Sequence, residues 1–295
     1  MATRLIGHAF VRRALPKRRE GGHKGDFGKL LIVGGAVGYT GAPYLAALAA
    51  VRSGCGLVYL GVPEHIWAIE AVKCASAMPF PLPDADGMLT LDALAPIRGT
   101  LEACGVLALG PGLGRSAGTR ALVSALLREA AQPVVLDADG LNALAEDMEA
   151  LEARRGRTTI LTPHDGEFAR LLGVSPEELA AQDHTESGRT EAARAFAEAH
   201  GCVLVRKGHR TLVALPDGGI LENTCGGSAL SKGGSGDVLT GLIASLLAQG
   251  ADAAACGVWL HARAGDLLTA RSTAYSVTPE DVASAGLAGA FSEVV

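Results

Sequence analysis

The segment Ser231-Lys232-Gly233-Gly234-Ser235-Gly236-Asp237-Val238-Leu239-Thr240-Gly241 places a carboxylate directly behind a run of glycines. Val238, Leu239, Leu242, Ile243, Leu246 and Leu247 then recur at helical spacing, and Gly250 ends the run. The pattern predicts a Gly-rich turn feeding a buried helix over 237–249 with Asp237 in its first turn. Free backbone N–H groups and the helix dipole make such a terminus an anion site. Small residues let a phosphate approach the backbone. Asp237 is then placed to take a proton from a substrate hydroxyl as its oxygen attacks phosphorus. The plainer role for the same residue is a helix cap. No Gly-Lys-Ser/Thr follows the glycines, so the turn is not a Walker A loop.

Other polar loops follow apolar runs. Gly34-Gly35-Ala36-Val37-Gly38-Tyr39-Thr40-Gly41-Ala42-Pro43 misses the Gly-x-Gly-x-x-Gly register of dinucleotide loops. Tight strand–helix packing explains it nearly as well as a ligand does, with Thr40 as helix cap and Pro43 in the first turn. Gly110-Pro111-Gly112-Leu113-Gly114, Asp137-Ala138-Asp139, and Thr162-Pro163-His164-Asp165-Gly166-Glu167 also end strands. Asp137 and Asp139 either support magnesium or cap the next helix. His164 has either a local helix-start role or a contact with substrate or metal-bound water. Lys207 and Arg210, in Arg206-Lys207-Gly208-His209-Arg210-Thr211, either bind phosphate or form a polar turn. Several polar loops at strand C-terminal ends imply one composite site.

The elements that must position these loops alternate along the chain. Strands are expected at Lys29–Val33, Leu57–Val62, Val106–Leu109, Val134–Leu136, Thr159–Leu161 and Val203–Arg206. Helices are expected from about Ala42, at Ala117–Ala130 and at Gly188–His200. Continuous apolar strands imply burial on both faces and a mainly parallel sheet. Thr211–Ala214 and Ile220–Asn223 flank Pro216-Asp217-Gly218-Gly219, which is hairpin chemistry. Asp237–Gln249, Ala251–Ala270 and Pro279–Ala285 read as helices. The fold class is α/β, with an antiparallel addition near one edge of the sheet. Residues 1–22 are expected to be a solvated extension and 23–295 a single domain.

The chain has 295 residues, a formal charge of −5 and 48% hydrophobic residues, enough for a large core and without a nucleic-acid footprint. No apolar run approaches the ~18 residues of a membrane span. Cys55, Cys74, Cys104, Cys202, Cys225 and Cys256 lack metal-site spacing and are expected to be reduced, in a cytoplasmic protein.

Taken in order, "HKGDFGKLLIVGG", "YTGAPYLAALAAVRSGCGLV", "GPGLG", "LDADGLNAL", "LTPHDGEFARLLG", "VRKGHRT" and "GGSGDVLTGLIASLLAQG", spanning His23 to Gly250, resemble the ADP- or ATP-dependent NAD(P)H-hydrate dehydratases. The resemblance implies a ribokinase-like three-layer αβα sandwich. It also implies phosphorylation by ADP of the hydroxyl on hydrated NADH or NADPH, then elimination of phosphate, leaving AMP. Carried over residue by residue, Asp237 is the base and Gly234, Ser235 and Gly236 form the anion hole. Lys207, Gly208, His209, Arg210, Thr211 and Gly236 meet the nucleotide. Ala42, Gly114, His164 and Asp237 meet the hydrated substrate, and Glu167 organises Mg2+ through water. A homotetramer, no membrane partner and no N-terminal epimerase domain are further implications. Where the family often reads "GNPGMATGG", this chain has "GGSALSKGG" over 226–234, which replaces the usual Asn with Gly227 and adds a cation at Lys232. The competing readings are a hydroxymethylpyrimidine or thiazole kinase-like enzyme and a non-catalytic nucleotide-binding protein.

Overall fold

The computed structural model describes residues 3–295. A ten-stranded sheet runs in the order β1 (Arg4–Ile6), β12 (Ile220–Asn223), β11 (Leu212–Ala214), β10 (Val203–Arg206), β9 (Thr159–Leu161), β8 (Val134–Leu136), β7 (Val106–Leu109), β2 (Lys29–Val33), β3 (Leu57–Pro63) and β4 (Met78–Leu82). All neighbours are parallel except at β11, which is antiparallel to both β10 and β12. A short hairpin, β5 (Asp84–Ala85) and β6 (Met88–Leu89), stands apart.

Helices cover both faces, and β2 shows why its sequence is continuously apolar. Leu30 and Ile32 enter one core and Leu31 and Val33 the other. All four are fully buried, as a strand covered on both sides requires. The first core is built largely from the helices Gly41–Arg52, Ser235–Ala248 and Ala253–Thr269. The second takes Ala117–Glu129 and Glu186–His200.

Helix Ser235–Ala248 lies close against helix Gly41–Arg52 because Gly241 has no side chain. A Cβ there would collide with the Ala46 carbonyl oxygen, a backbone atom that cannot move alone. Gly241→Ala is therefore expected to destabilise the protein by about 1–3 kcal/mol and to lower Tm in a thermal melt. An unchanged Tm would show that the helices part without cost.

Three regions depart from the sequence reading. Residues 1–22 were expected to be solvated, but β1 pairs with β12 and helix His8–Ala14 buries Val11. Among the described residues of that basic stretch only Ile6 and Val11 are buried, which hides it from periodicity. β4 carries Pro79 and Pro81, residues that argue against a strand. It is an edge strand, where missing N–H donors are tolerated, and Trp67 Nε1 donates to the Pro79 carbonyl at 3.1 Å. The helix expected at Pro279–Ala285 passes through a π segment, Val282–Gly286, and continues through Leu287–Val294.

Candidate active site

The loops after β2, β7, β8, β9 and β10 all leave the C-terminal edge of the parallel strands. There, Asp137, His164, Lys207, Gly208, His209, Thr211, Lys232 and Gly233 to Asp237 line a cleft of about 760 Å³. Helix Ser235–Ala248 forms one wall. Its N-cap is Gly234, at φ +97°, a left-handed conformation that favours glycine. No side chain caps this helix, so its first-turn amides are not occupied by a cap. Asp237 sits at the third helical position, inside the helix and not at the capping position.

Asp237 shares the cleft with a dense charge cluster. Lys207 Nζ donates to Asp137 Oδ1 at 2.9 Å and lies 3.8 Å from Glu167 Oε2. Asp137 is 1% exposed, and its second oxygen accepts from Thr240 Oγ1 at 2.6 Å. Burial, reinforced by the charge of Asp137, pushes the Asp237 carboxyl up to about 7; Lys207 opposes the shift, and Asp139 and Glu167 add to it. A carboxylate poised near neutrality is suited to general-base work. Lys207 loses stabilisation through burial, but the surrounding carboxylates raise its pKa on balance, so it stays an ammonium.

Neither of the two aspartates after β8 caps the next helix, whose N-cap is Ala138 without a side-chain capping bond. Both Asp137 oxygens are engaged, as above. Asp139 accepts from the Gly114 N–H at 2.9 Å and from Arg115 Nε and Asn142 Nδ2, both at 3.2 Å. It thereby ties the Gly110–Gly114 loop to the end of β8. Among the described residues, no group of three or more His, Cys, Asp or Glu is arranged to hold a metal by itself.

His164 caps its own helix. Its Nδ1 accepts from the Gly166 and Glu167 N–H groups at 3.0 and 3.3 Å, while Glu167 Oε2 accepts from the His164 N–H at 2.9 Å. This reciprocal capping box assigns the proton to Nε2, and the half-exposed ring still lines the cleft. Thr40 occupies the N-cap of its helix but makes no capping bond. Arg210 pairs with Glu222 at 2.5 Å and, unlike Lys207, does not line the cleft. Ala42, at the start of helix Gly41–Arg52, and Gly114, in the loop after β7, also lie outside its lining. A Cβ on Gly112 would approach Ala42 to 2.9 Å, and one on Gly114 would approach the Met88 sulfur to 2.9 Å.

Three contributors escaped the sequence reading. His261, in the middle of helix Ala253–Thr269, is 8% exposed and places Nε2 3.2 Å from Ser235 Oγ. Burial pushes its pKa down to about 4, so it supports the turn as a neutral ring. Arg206 is fully buried behind the Lys207–Thr211 loop and donates to Asp165 at 2.9 Å and to both oxygens of Asp183. Arg189 in turn donates to the carbonyls of Arg206, Lys207 and Arg210. Lys232 also gains a partner: its ammonium donates to the carbonyls of Tyr275 (2.7 Å) and Val277, tying the loop before Pro279 to the glycine turn.

The family model of NAD(P)H-hydrate dehydratase matches residues 30–286. The chain belongs to this family. A bifunctional NAD(P)H-hydrate repair enzyme of Moorella thermoacetica is 45% identical over 267 residues, covering 89% of this chain and 49% of the relative. An ADP-dependent (S)-NAD(P)H-hydrate dehydratase of Neisseria meningitidis is 43% identical, covering 88% of this chain and 82% of the relative. This chain thus spans about half the length of the bifunctional relative and most of the second. The crystal structure of an ADP/ATP-dependent NAD(P)H-hydrate dehydratase from Bacillus subtilis, co-crystallised with ATP/Mg2+, superposes at a TM-score of 0.80 with 30% identity over 100% of both chains. The ribokinase-like αβα architecture expected from the sequence is the observed one. No helix among the described residues is long and apolar enough to cross a membrane.

Proposed function

We propose that this chain dehydrates hydrated NADH and NADPH at the expense of ADP, as a nicotinamide nucleotide repair enzyme. One observation carries the chemistry. A part-buried Asp237, with its pKa near 7, stands at an uncapped helix start beside the part-buried ammonium of Lys207. Asp237 takes the proton of the substrate hydroxyl. That oxygen bonds to the β-phosphorus of ADP as the bond from β-phosphorus to the bridging oxygen breaks, and AMP departs. Loss of the phosphate together with a ring proton then restores the double bond. Phosphorylation thus converts hydroxide, a poor leaving group, into phosphate.

Gly234, Ser235 and Gly236 hold the transferring phosphoryl group by their backbone amides. Lys207, Gly208, His209, Arg210 and Thr211 hold the nucleotide. Ala42, Gly114 and His164 meet the hydrated nicotinamide nucleotide. Mg2+ binds oxygen donors, retains waters, and fits a site that offers one or two carboxylates and substrate phosphates. Glu167 would hold it through water, and it would neutralise phosphate charge. The choice of ADP over ATP rests on the name of the Neisseria relative. Six free cysteines support a reducing, cytoplasmic setting. Exposed Trp67, Ile69, Val72 and Met78 near the β4 edge support self-association as a homotetramer.

The test is to give purified protein hydrated NADH, Mg2+ and ADP. Recovery of the NADH absorbance with stoichiometric AMP supports the reading, and no recovery with ADP or ATP sinks it. A pH profile adds a second check. Asp237 works as the carboxylate, so kcat/KM is expected to fall about tenfold per unit as pH drops below about 7. A flat profile between pH 5 and 8 would remove Asp237 from the role of base.

A further inference from the structure

The link from Thr240 through Asp137 to Lys207 joins three segments far apart in sequence. Thr240 lies one turn into the helix that begins at the glycine turn, Asp137 ends β8, and Lys207 ends β10. Lys207 Nζ lies only 3.3 Å from where a Cβ on Gly236 would stand, and Asp137 Oδ2 only 3.7 Å. The ammonium therefore borders the turn that would hold the transferring phosphoryl group. An ammonium has three donors on a four-carbon stem and is intrinsically mobile. Asp137, buried and gripped by Thr240, removes that freedom.

We propose that Asp137 is a positioning residue that pins Lys207 beside the terminal phosphoryl group of the nucleotide, with Thr240 fixing Asp137 in turn. The inference rests on the functional reading above and assigns two residues to that site. It differs from a purely structural ion pair in what it requires. Pinning costs ADP some affinity, because Asp137 partly cancels the charge of Lys207. It benefits the transfer step, because a displaced catalytic group loses about 10²-fold in rate for an error near 1 Å.

The variants are Asp137→Asn, Thr240→Val and Thr240→Ser, each first checked for folding by circular dichroism and Tm. ADP and AMP affinities are measured by calorimetry, and turnover with hydrated NADH and ADP by absorbance. Asp137→Asn is expected to bind ADP at least as tightly as the unaltered protein, to raise the preference for ADP over AMP about threefold, and to lower kcat about 10²-fold. Thr240→Val, which leaves charge unchanged, is expected to lower kcat about tenfold with little change in ADP affinity. Thr240→Ser keeps the hydroxyl and is expected to restore the rate. Equal weakening of ADP and AMP in Asp137→Asn, or kcat values within threefold of the unaltered protein in both Asp137→Asn and Thr240→Val, would overturn the inference. If the unaltered protein does not turn over hydrated NADH, the functional reading fails instead. Calorimetry alone then decides, and an unchanged ADP-to-AMP preference in Asp137→Asn sinks the pinning role.

Discussion

Asp237→Asn is expected to abolish turnover, by about 10³-fold or more, while leaving ADP binding nearly intact. Positioned general bases contribute about 10²–10⁴-fold, and Asn cannot accept the proton. Its amide keeps the size of the carboxylate, so the glycine turn and Lys207 remain in place. Turnover and calorimetry on the same preparation check this, and near-normal turnover would show that another group is the base.

The same variant should also be more stable at pH 8. Asp237 is raised from its ordinary 3.8 to about 7 in the fold. Between those values the folded protein binds the proton and the unfolded chain does not, so stability falls as pH rises through this window. Above about pH 7 the protein carries the full cost of a carboxylate held in an unfavourable place. Asparagine removes that cost, so Tm at pH 8 is expected to rise, with little change near pH 4. A Tm that falls at pH 8 would mean that the carboxylate is stabilising and that burial is not its dominant influence.

The second large effect is structural, at Arg206. This guanidinium is fully buried, pairs with Asp165 and Asp183, and lies 4.7 Å from the centre of the Phe168 ring. Arg206→Met leaves Asp183, which is only 13% exposed in its side chain, without its counter-charge. Breaking such a pair is expected to cost about 3 kcal/mol, a drop of roughly 5 °C in Tm for a chain of this size. The loss should extend to function. Arg206 also donates to the Arg189 carbonyl, and Arg189 holds the carbonyls of Arg206, Lys207 and Arg210. ADP affinity is therefore expected to fall, even though Arg206 lies behind the proposed nucleotide loop. A variant with unchanged Tm and ADP affinity would show that the network is dispensable.

The central strands were legible in the sequence because each is buried on both faces. Lys29–Val33, Val106–Leu109, Val134–Leu136, Thr159–Leu161 and Val203–Arg206 stand where the apolar runs placed them. The hairpin at Leu212–Asn223 followed from its turn residues, and the Asp217 carboxylate accepts from the Gly219 N–H at 2.9 Å, as such a turn requires. The glycine turn and the first-turn position of Asp237 were equally local. Elements at the margins were not legible. β4 is a strand despite two prolines because it lies at an edge, and β1 is a strand because β12 offers it a free ladder. Both reasons are properties of neighbours and not of the segment.

The site divides along the same line. Residue types and short spacing determined where phosphate chemistry could occur, since a helix start, its glycines and Asp237 are contiguous. They left open whether Asp137 supports magnesium or caps the next helix. Only the tertiary structure shows its side-chain partners, because these lie 70 and 103 residues away. The same holds for His261 beneath Ser235 and for Lys232 on the carbonyls of Tyr275 and Val277. Charge placement also depended on the fold. A carboxylate's proton affinity follows from burial and from the signs of its neighbours, and parallel strands bring those neighbours together only when their C-terminal ends share one edge.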